Sequence, residues 1–341
     1  MNAIWNKWTA DQTRWDTIKL NKPSLNRFEF FDEYIVKTQV DETIPRGERW
    51  GQDGIPWPDL KFRPYLTKWP AKQTTGWYAH RAIPFPYPRP VPSVSITGFC
   101  HLDFASVRDI FFSLSWRAFT TSGFNADIAC LDRNSTEAYG VGICYMDIPM
   151  RDCGSSNLAY DKTADDFRRG VKQDIVYPDW MKQSSSGTTS SKLRDNVKVA
   201  HWINGLRLGT GKDWNVSVSA KGNESITVKA EGSTNLSYFN VCYFYWDDVK
   251  TNVFCKTFKT AKNASVHEEV IDFGTKFSSK PKFFLALTDF NIWSERNMRI
   301  QTEVKELTQS HAVVKVHTWE ESKIFELGFV CIAVPDRVGL Y

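Results

Sequence analysis

V-I-D-F-G-T-K-F-S-S-K-P-K-F-F-L-A-L (270–287), N-M-R-I-Q-T-E-V (297–304), V-V-K-V-H-T-W-E (313–320) and F-E-L-G-F-V-C-I-A-V (325–334) decide the fold. The last three read as β-strands whose side chains alternate between two faces. Met298 and Ile300 share one face and leave Arg299 on the other; Val314, Val316 and Thr318 share a face and leave Lys315, His317 and Trp319 opposite. A long cation and a large aromatic thus project from the non-core side of short, stiff strands. Such a pair can stack on and hydrogen-bond a polar ring with apolar faces.

Working outward, the same spacing recurs. P-K-F-F-L-A-L-T-D-F from Pro281 has counterparts in V-K-V-A-H-W-I-N-G-L from Val197 and P-S-V-S-I-T-G-F from Pro92. The middle of the next strand then falls at Arg299, Asn215 and Ile110, and each copy closes on a strand containing Cys331, Cys242 or Cys144. These three thiols read as small buried hydrophobes. A Phe/Pro edge precedes the first and third copies, from Pro84 and Asp272. Short alternating strands with many turn residues indicate antiparallel β-sandwiches. The fold class expected is therefore all-β, with three tandem six-stranded sandwiches packed as an internal pseudo-trimer, because small sandwiches have thin cores and gain by burying their faces together.

The domain boundaries expected are an arm over 1–75, sandwiches over 76–150, 196–250 and 251–341, and a polar connection over 151–195 containing S-S-S-G-T-T-S-S (184–191). A second polar stretch, Lys250–Asn263, reads as a joint between the last two copies. In the arm, Trp5, Trp8, Trp15 and Ile18 would share one side of a short docking helix, and the prolines from Pro56 to Pro92 favour extended coil.

Composition narrows the classes. With 42% apolar and 24% charged residues the 341-residue chain is globular, and its net charge of +4 has no Lys/Arg block of the kind a nucleic-acid partner needs. Seven widely spaced Cys argue against a disulfide framework and a zinc site. The start M-N-A-I-W-N-K-W lacks an apolar leader and no run approaches the length of a membrane span, so a cytoplasmic protein is expected, with non-classical secretion as the exception. The sequons at Asn134, Asn215, Asn223, Asn235 and Asn263 then read as background. L-G-T-G-K (208–212) lacks the spacing of a phosphate loop, Ser122 lacks a nucleophile elbow, and the six His form no metal motif. The expectation is a protein without cofactor, metal or catalytic site.

The third copy resembles the H-type lectin domain, through Phe273, Phe277 and Pro281, through N-x-R (Asn297, Arg299), through T-W (Thr318, Trp319), and through the closing strand to Ala333. The second copy resembles it in G-K-D-W-N-V and its final strand, the first in Ser122-Gly123-Phe124. The resemblance implies a six-stranded sandwich that assembles in threes and binds galactose or N-acetylgalactosamine between neighbours. It also implies that Arg299 hydrogen-bonds hydroxyls, Trp319 packs on the sugar, Glu320 reaches an acetamido group and Phe325 reaches a neighbour's site. Asn263 stands nearest to the acidic residue the family contributes. Glycans or glycoproteins are the partners implied, and a monomer with internal symmetry is the expected state. In the other copies Asn215 and Ile110 replace Arg299, and neither Asp132 nor Ala230-Glu231 supplies the Trp.

The chemistry stands beside that resemblance. A guanidinium offers a fixed fork of donors to paired hydroxyls, and an indole shields a C–H face for about 1–2 kcal/mol at ~25 cal/mol per Å². One such site binds in roughly the millimolar to high-micromolar range. A second reading stays open: Arg299 and Trp319 filling an interface between copies.

Overall fold

The computed structural model describes residues 65–68, 77–84, 94–104, 109–117, 123–130, 138–148, 152–182, 193–210, 213–293, 296–319 and 322–335. The docking helix and most of the proline-rich arm expected from the sequence lie outside these residues, as does the serine tract at 184–191.

The described residues are all-β, in three antiparallel sheets. A first unit supplies β1 (Tyr65–Lys68), β2 (Trp77–Pro84), β3 (Val94–Phe104), β4 (Ile110–Arg117), β5 (Gly123–Cys130) and β6 (Ala138–Ile148). A second supplies β7 (Cys153–Asp161), β8 (Val171–Asp174), β9 (Val197–Leu208), β10 (Asp213–Lys221), β11 (Ser225–Glu231) and β12 (Leu236–Asp247). The third supplies β13 (Phe254–Lys259), β14 (Val266–Asp272), β15 (Lys282–Trp293), β16 (Met298–Leu307), β17 (His311–His317) and β18 (Ile324–Val334). The six-stranded sheets run β1-β6-β3-β16-β17-β14, β13-β18-β15-β10-β11-β8 and β2-β5-β4-β9-β12-β7. Each unit thus splits into a first–sixth–third ribbon and a second–fifth–fourth ribbon, and every sheet joins ribbons of two units. Three seams do the joining: β4 with β9, β10 with β15, and β16 with β3.

One irregularity recurs at each seam. The ladder slips by a residue at Cys100, Asn204 and Thr288, each of which stands bulged between paired neighbours. A bulge turns the residues after it to the other face and sharpens the local twist. Gly205, just past the bulge in β9, sits where a Cβ would lie 2.9 Å from the Phe112 backbone oxygen, so only glycine lets β4 close on β9 there.

Two apolar clusters result. The larger fills the space between ribbons, with Phe112, Leu206, Trp214, Phe283 and Val314 fully buried. The second draws on β3, β6, β9, β12, β15 and β18 and holds Ile96, Cys144, Trp202, Phe244, Phe284 and Ile332. The Trp202 indole donates to the Thr97 carbonyl at 2.7 Å and meets Phe284 edge-on at 5.0 Å. All three units therefore meet in one apolar contact region.

Several expectations need correction. Residues 153–174 are not a connection: they form β7, a capped helix α1 (Ala164–Arg169) and β8, all built into the second unit. Tyr65–Lys68, assigned to the arm, pairs with β6, and Phe254–Lys259, read as a joint, pairs with β18. The expected match of Ile110 to Arg299 is offset by one residue. Alignment on the bulges places Phe111, not Ile110, opposite the residue matching the Arg299 partner; Ile110 points into the core. Cys144 and Cys242 face the second cluster, whereas Cys331 faces the first, because Val330 holds the matching position. A slip of one residue turns a strand's side chains over. All three thiols are free and buried, and burial pushes those of Cys242 and Cys331 up.

Candidate functional site

β16 alternates as the sequence implied: Met298, Ile300 and Thr302 are buried, while Arg299, Gln301 and Glu303 turn outward. On β17, Ala312, Val314 and Val316 are buried and Lys315 and His317 share the outward face. The seam with β3 sets what these outward groups meet. Arg299 stands opposite Asp103, and Gln301 stands between His101 on one side and His317 on the other.

Arg299 donates through Nε to Asp103 Oδ1 at 3.1 Å, and the two side chains are only 12% and 13% exposed. A charge-assisted pair this sheltered fixes the register of the seam. Continuing the β16–β17 register by two residues brings Trp319 level with Arg299. Its half-buried indole lies nearly parallel to the His101 imidazole, 5.2 Å between centroids, and 6.1 Å from His317. The first unit therefore supplies a carboxylate and a stacked ring to residues of the third.

Two polar atoms here, His317 Nδ1 and Thr318 Oγ1, are buried without a hydrogen-bond partner among the described residues. Burial, followed by the charge of Lys315, holds the His317 imidazole below its usual range, with Glu303 acting the other way. The Thr318 amide donates to the Ser265 carbonyl at 2.9 Å, and Ser322 Oγ donates to the Asn297 carbonyl, which ties the ends of the segment carrying Trp319.

The six residues singled out in the sequence do not all converge. Arg299, Asn297 and Trp319 lie at the β16–β3 seam; Glu320 lies outside the described residues. Phe325 belongs to β18 in another sheet, where it stacks on Trp293 at 5.8 Å, with Lys323 Nζ 4.8 Å above that indole. Asn263, in a left-handed conformation at φ 58°, donates its amide to the Phe325 carbonyl at 2.9 Å. That group adjoins the β10–β15 seam, because Trp293 pairs with Asp213.

Asp103 and His101 escaped the sequence reading. They lie about two hundred positions from Arg299 and Trp319, and only the pairing of β3 with β16 brings them together. The available signal was the run H-L-D (101–103), which places both on one face of a strand.

Residues 268–334 match the family model of the H-type lectin domain. The matched H-type lectin region runs through β14 to β18 and contains both Arg299 and Trp319. Such a domain points to carbohydrate binding in general terms. Among curated proteins, no sequence matches the chain. No helix among the described residues is long and apolar enough to cross a membrane, and no group of three His, Cys, Asp or Glu among them could hold a metal ion.

Proposed function

We propose that the chain is a carbohydrate-binding protein built from three H-type-lectin-like modules closed as an internal trimer. Its principal site lies at the β16–β3 seam and takes galactose-type or N-acetylgalactosamine-type residues. One observation carries the reading. A guanidinium and an indole of the matched region meet, at one seam, a carboxylate and a stacked imidazole from β3.

The roles follow from the chemistry of the groups. Arg299, oriented by Asp103, presents N–H donors to neighbouring hydroxyls. Asp103 accepts from a hydroxyl in turn. His101 stacks on one face of Trp319, and the place proposed for the C–H face of the sugar is the other. The trimer reading is supported by the repeated ribbon order, the three matching bulges and the shared apolar cluster. The modules would then span roughly 65–148, 152–247 and 254–334, in a single chain that needs no partner subunit. Cytoplasmic placement remains part of the same proposal.

The sheltered Arg299–Asp103 pair favours a second reading, in which the seam is a structural joint and the units serve as scaffold. A glycan array on the full chain separates the two. Galactose-type signals that Trp319→Ala weakens while the circular dichroism spectrum is kept support the sugar site. A folded, concentrated sample that binds no glycan sinks it.

A further inference from the structure

We propose a second saccharide site, at the β4–β9 seam, in which Arg207 supplies the donor fork and Phe111 with Tyr238 supplies the aromatic wall. This rests on the carbohydrate-binding reading above.

Asp161, Tyr238, Arg207 and Phe111 are consecutive cross-strand partners on β7, β12, β9 and β4, so their side chains rise from one face of one sheet. The Phe111 and Tyr238 rings meet edge-to-face at 5.8 Å, reaching across the strand that carries Arg207. Arg207 itself is exposed, and so is Asp161 at the end of the row. Both rings are half-buried and keep part of their surface in water. Near the end of the seam Asp109 accepts the Thr210 amide at 2.9 Å, which ties the start of β4 to the turn after β9.

Alignment on the bulges shows how this row relates to the principal one. Arg207 stands where Asp103 does, and Phe111 stands where Arg299 does. Cation and aromatic are both present, but each comes from the opposite strand of the seam. Two chemical requirements of a pyranose are met either way: a planar fork for two adjacent hydroxyls, and a flat apolar surface for its C–H face. The phenol of Tyr238 adds a donor-acceptor group at the wall. The remaining seam lacks the set, for there Glu326, Asn291, Asn215 and Glu231 form the matching row without an arginine or an aromatic. The ligand class is a neutral hexopyranoside.

Saturation-transfer NMR on the full chain tests this, with methyl galactoside, methyl N-acetylgalactosaminide, methyl mannoside and methyl fucoside as probes. Arg207→Gln, an exposed substitution that keeps the fold, and Trp319→Ala are compared alone and together; Tyr238→Phe removes only the hydroxyl. The expected result is a partial loss of signal in each single variant, a weaker loss in Tyr238→Phe, and complete loss in the pair. Signal that Trp319→Ala alone abolishes and Arg207→Gln leaves intact overturns the second site and keeps the principal one. The reverse pattern keeps the second site and removes the principal one. No signal from the folded wild-type chain overturns both.

Discussion

The β16–β3 and β10–β15 seams share one backbone plan and carry different chemistry. Both follow a bulge, at Cys100 in one and Thr288 in the other. At the first, Arg299 faces Asp103 in a sheltered ion pair beside a stacked Trp319. At the second, Asn215 faces Asn291, and Glu231 occupies the position level with Trp319. Glu231 there pairs with Lys229 at 3.0 Å, and Glu326, opposite Asn291, pairs with Lys259 at 2.6 Å. Joining two units therefore does not require an arginine in that row. The indole that adjoins the second seam, Trp293, stacks on Phe325 and not on a ring from the facing strand, so the pairing of Arg299 and Trp319 with groups from β3 is what sets the first seam apart.

The largest contrast is in stability. Arg299→Ala removes the guanidinium from a sheltered ion pair and should cost about 3 kcal/mol, the order seen when one partner of a buried pair is removed. Asn215→Ala, at the matching position, should cost under about 1 kcal/mol, as for an ordinary hydrogen-bonded side chain. Urea denaturation measures both, and equal losses would show that the seams are energetically alike. Asp103→Asn combined with Arg299→Ala should cost less than the sum of the single changes.

Binding gives the next contrast. Trp319→Ala should lower affinity for a galactoside by about tenfold, the equivalent of roughly 1.4 kcal/mol, whereas Glu231→Ala should leave it unchanged. Titration calorimetry or tryptophan fluorescence reads the difference. A loss in both variants would move the ligand away from the β16–β3 seam. The contrast also runs in reverse. Asn215→Arg, Asn291→Asp and Glu231→Trp together copy one seam into the other and should add a weak galactoside site, detectable as extra ligand-observed NMR signal.

The smallest effect concerns pH. The His317 imidazole titrates below its unfolded range, chiefly through burial, so the unfolded chain takes up the proton first as pH falls. Its contribution to stability is complete above about pH 6.5, the unfolded value, and declines below it. Half-buried His201 acts with the same sign, again through desolvation first. His317→Gln should flatten the fall in Tm between neutral and mildly acidic pH without removing it. A slope unchanged by the substitution would show that His317 does not contribute to it.

Local pattern made the strands legible and left the seams hidden. Alternation alone assigned Met298, Ile300, Val314 and Val316 to the core and Arg299, His317 and Lys315 to the outer face, as found. The polar strand Cys153–Asp161 was missed because, as an edge strand, its middle is half-exposed and it lacks the apolar beat of a central one. The first repeat slipped by one because Pro92 and Pro281 stand at different distances from the strands they precede, Val94–Phe104 and Lys282–Trp293. A proline outside a ladder does not fix its register. Asp103, His101 and Arg207 acquire meaning only through pairing with strands far away in the chain, which no window of sequence contains.

Sharing each sheet between two units has a consequence for dissection. Cut out as a fragment, residues 254–334 would bare the edges of Lys282–Trp293 and Met298–Leu307. Those edges are of the two kinds that meet at every seam, third strand against fourth, and so each can satisfy the other in a second copy. The freed piece should self-assemble, and sedimentation should find it as three chains closed head to tail, the assembly that the proposed internal trimer would hold within one polypeptide.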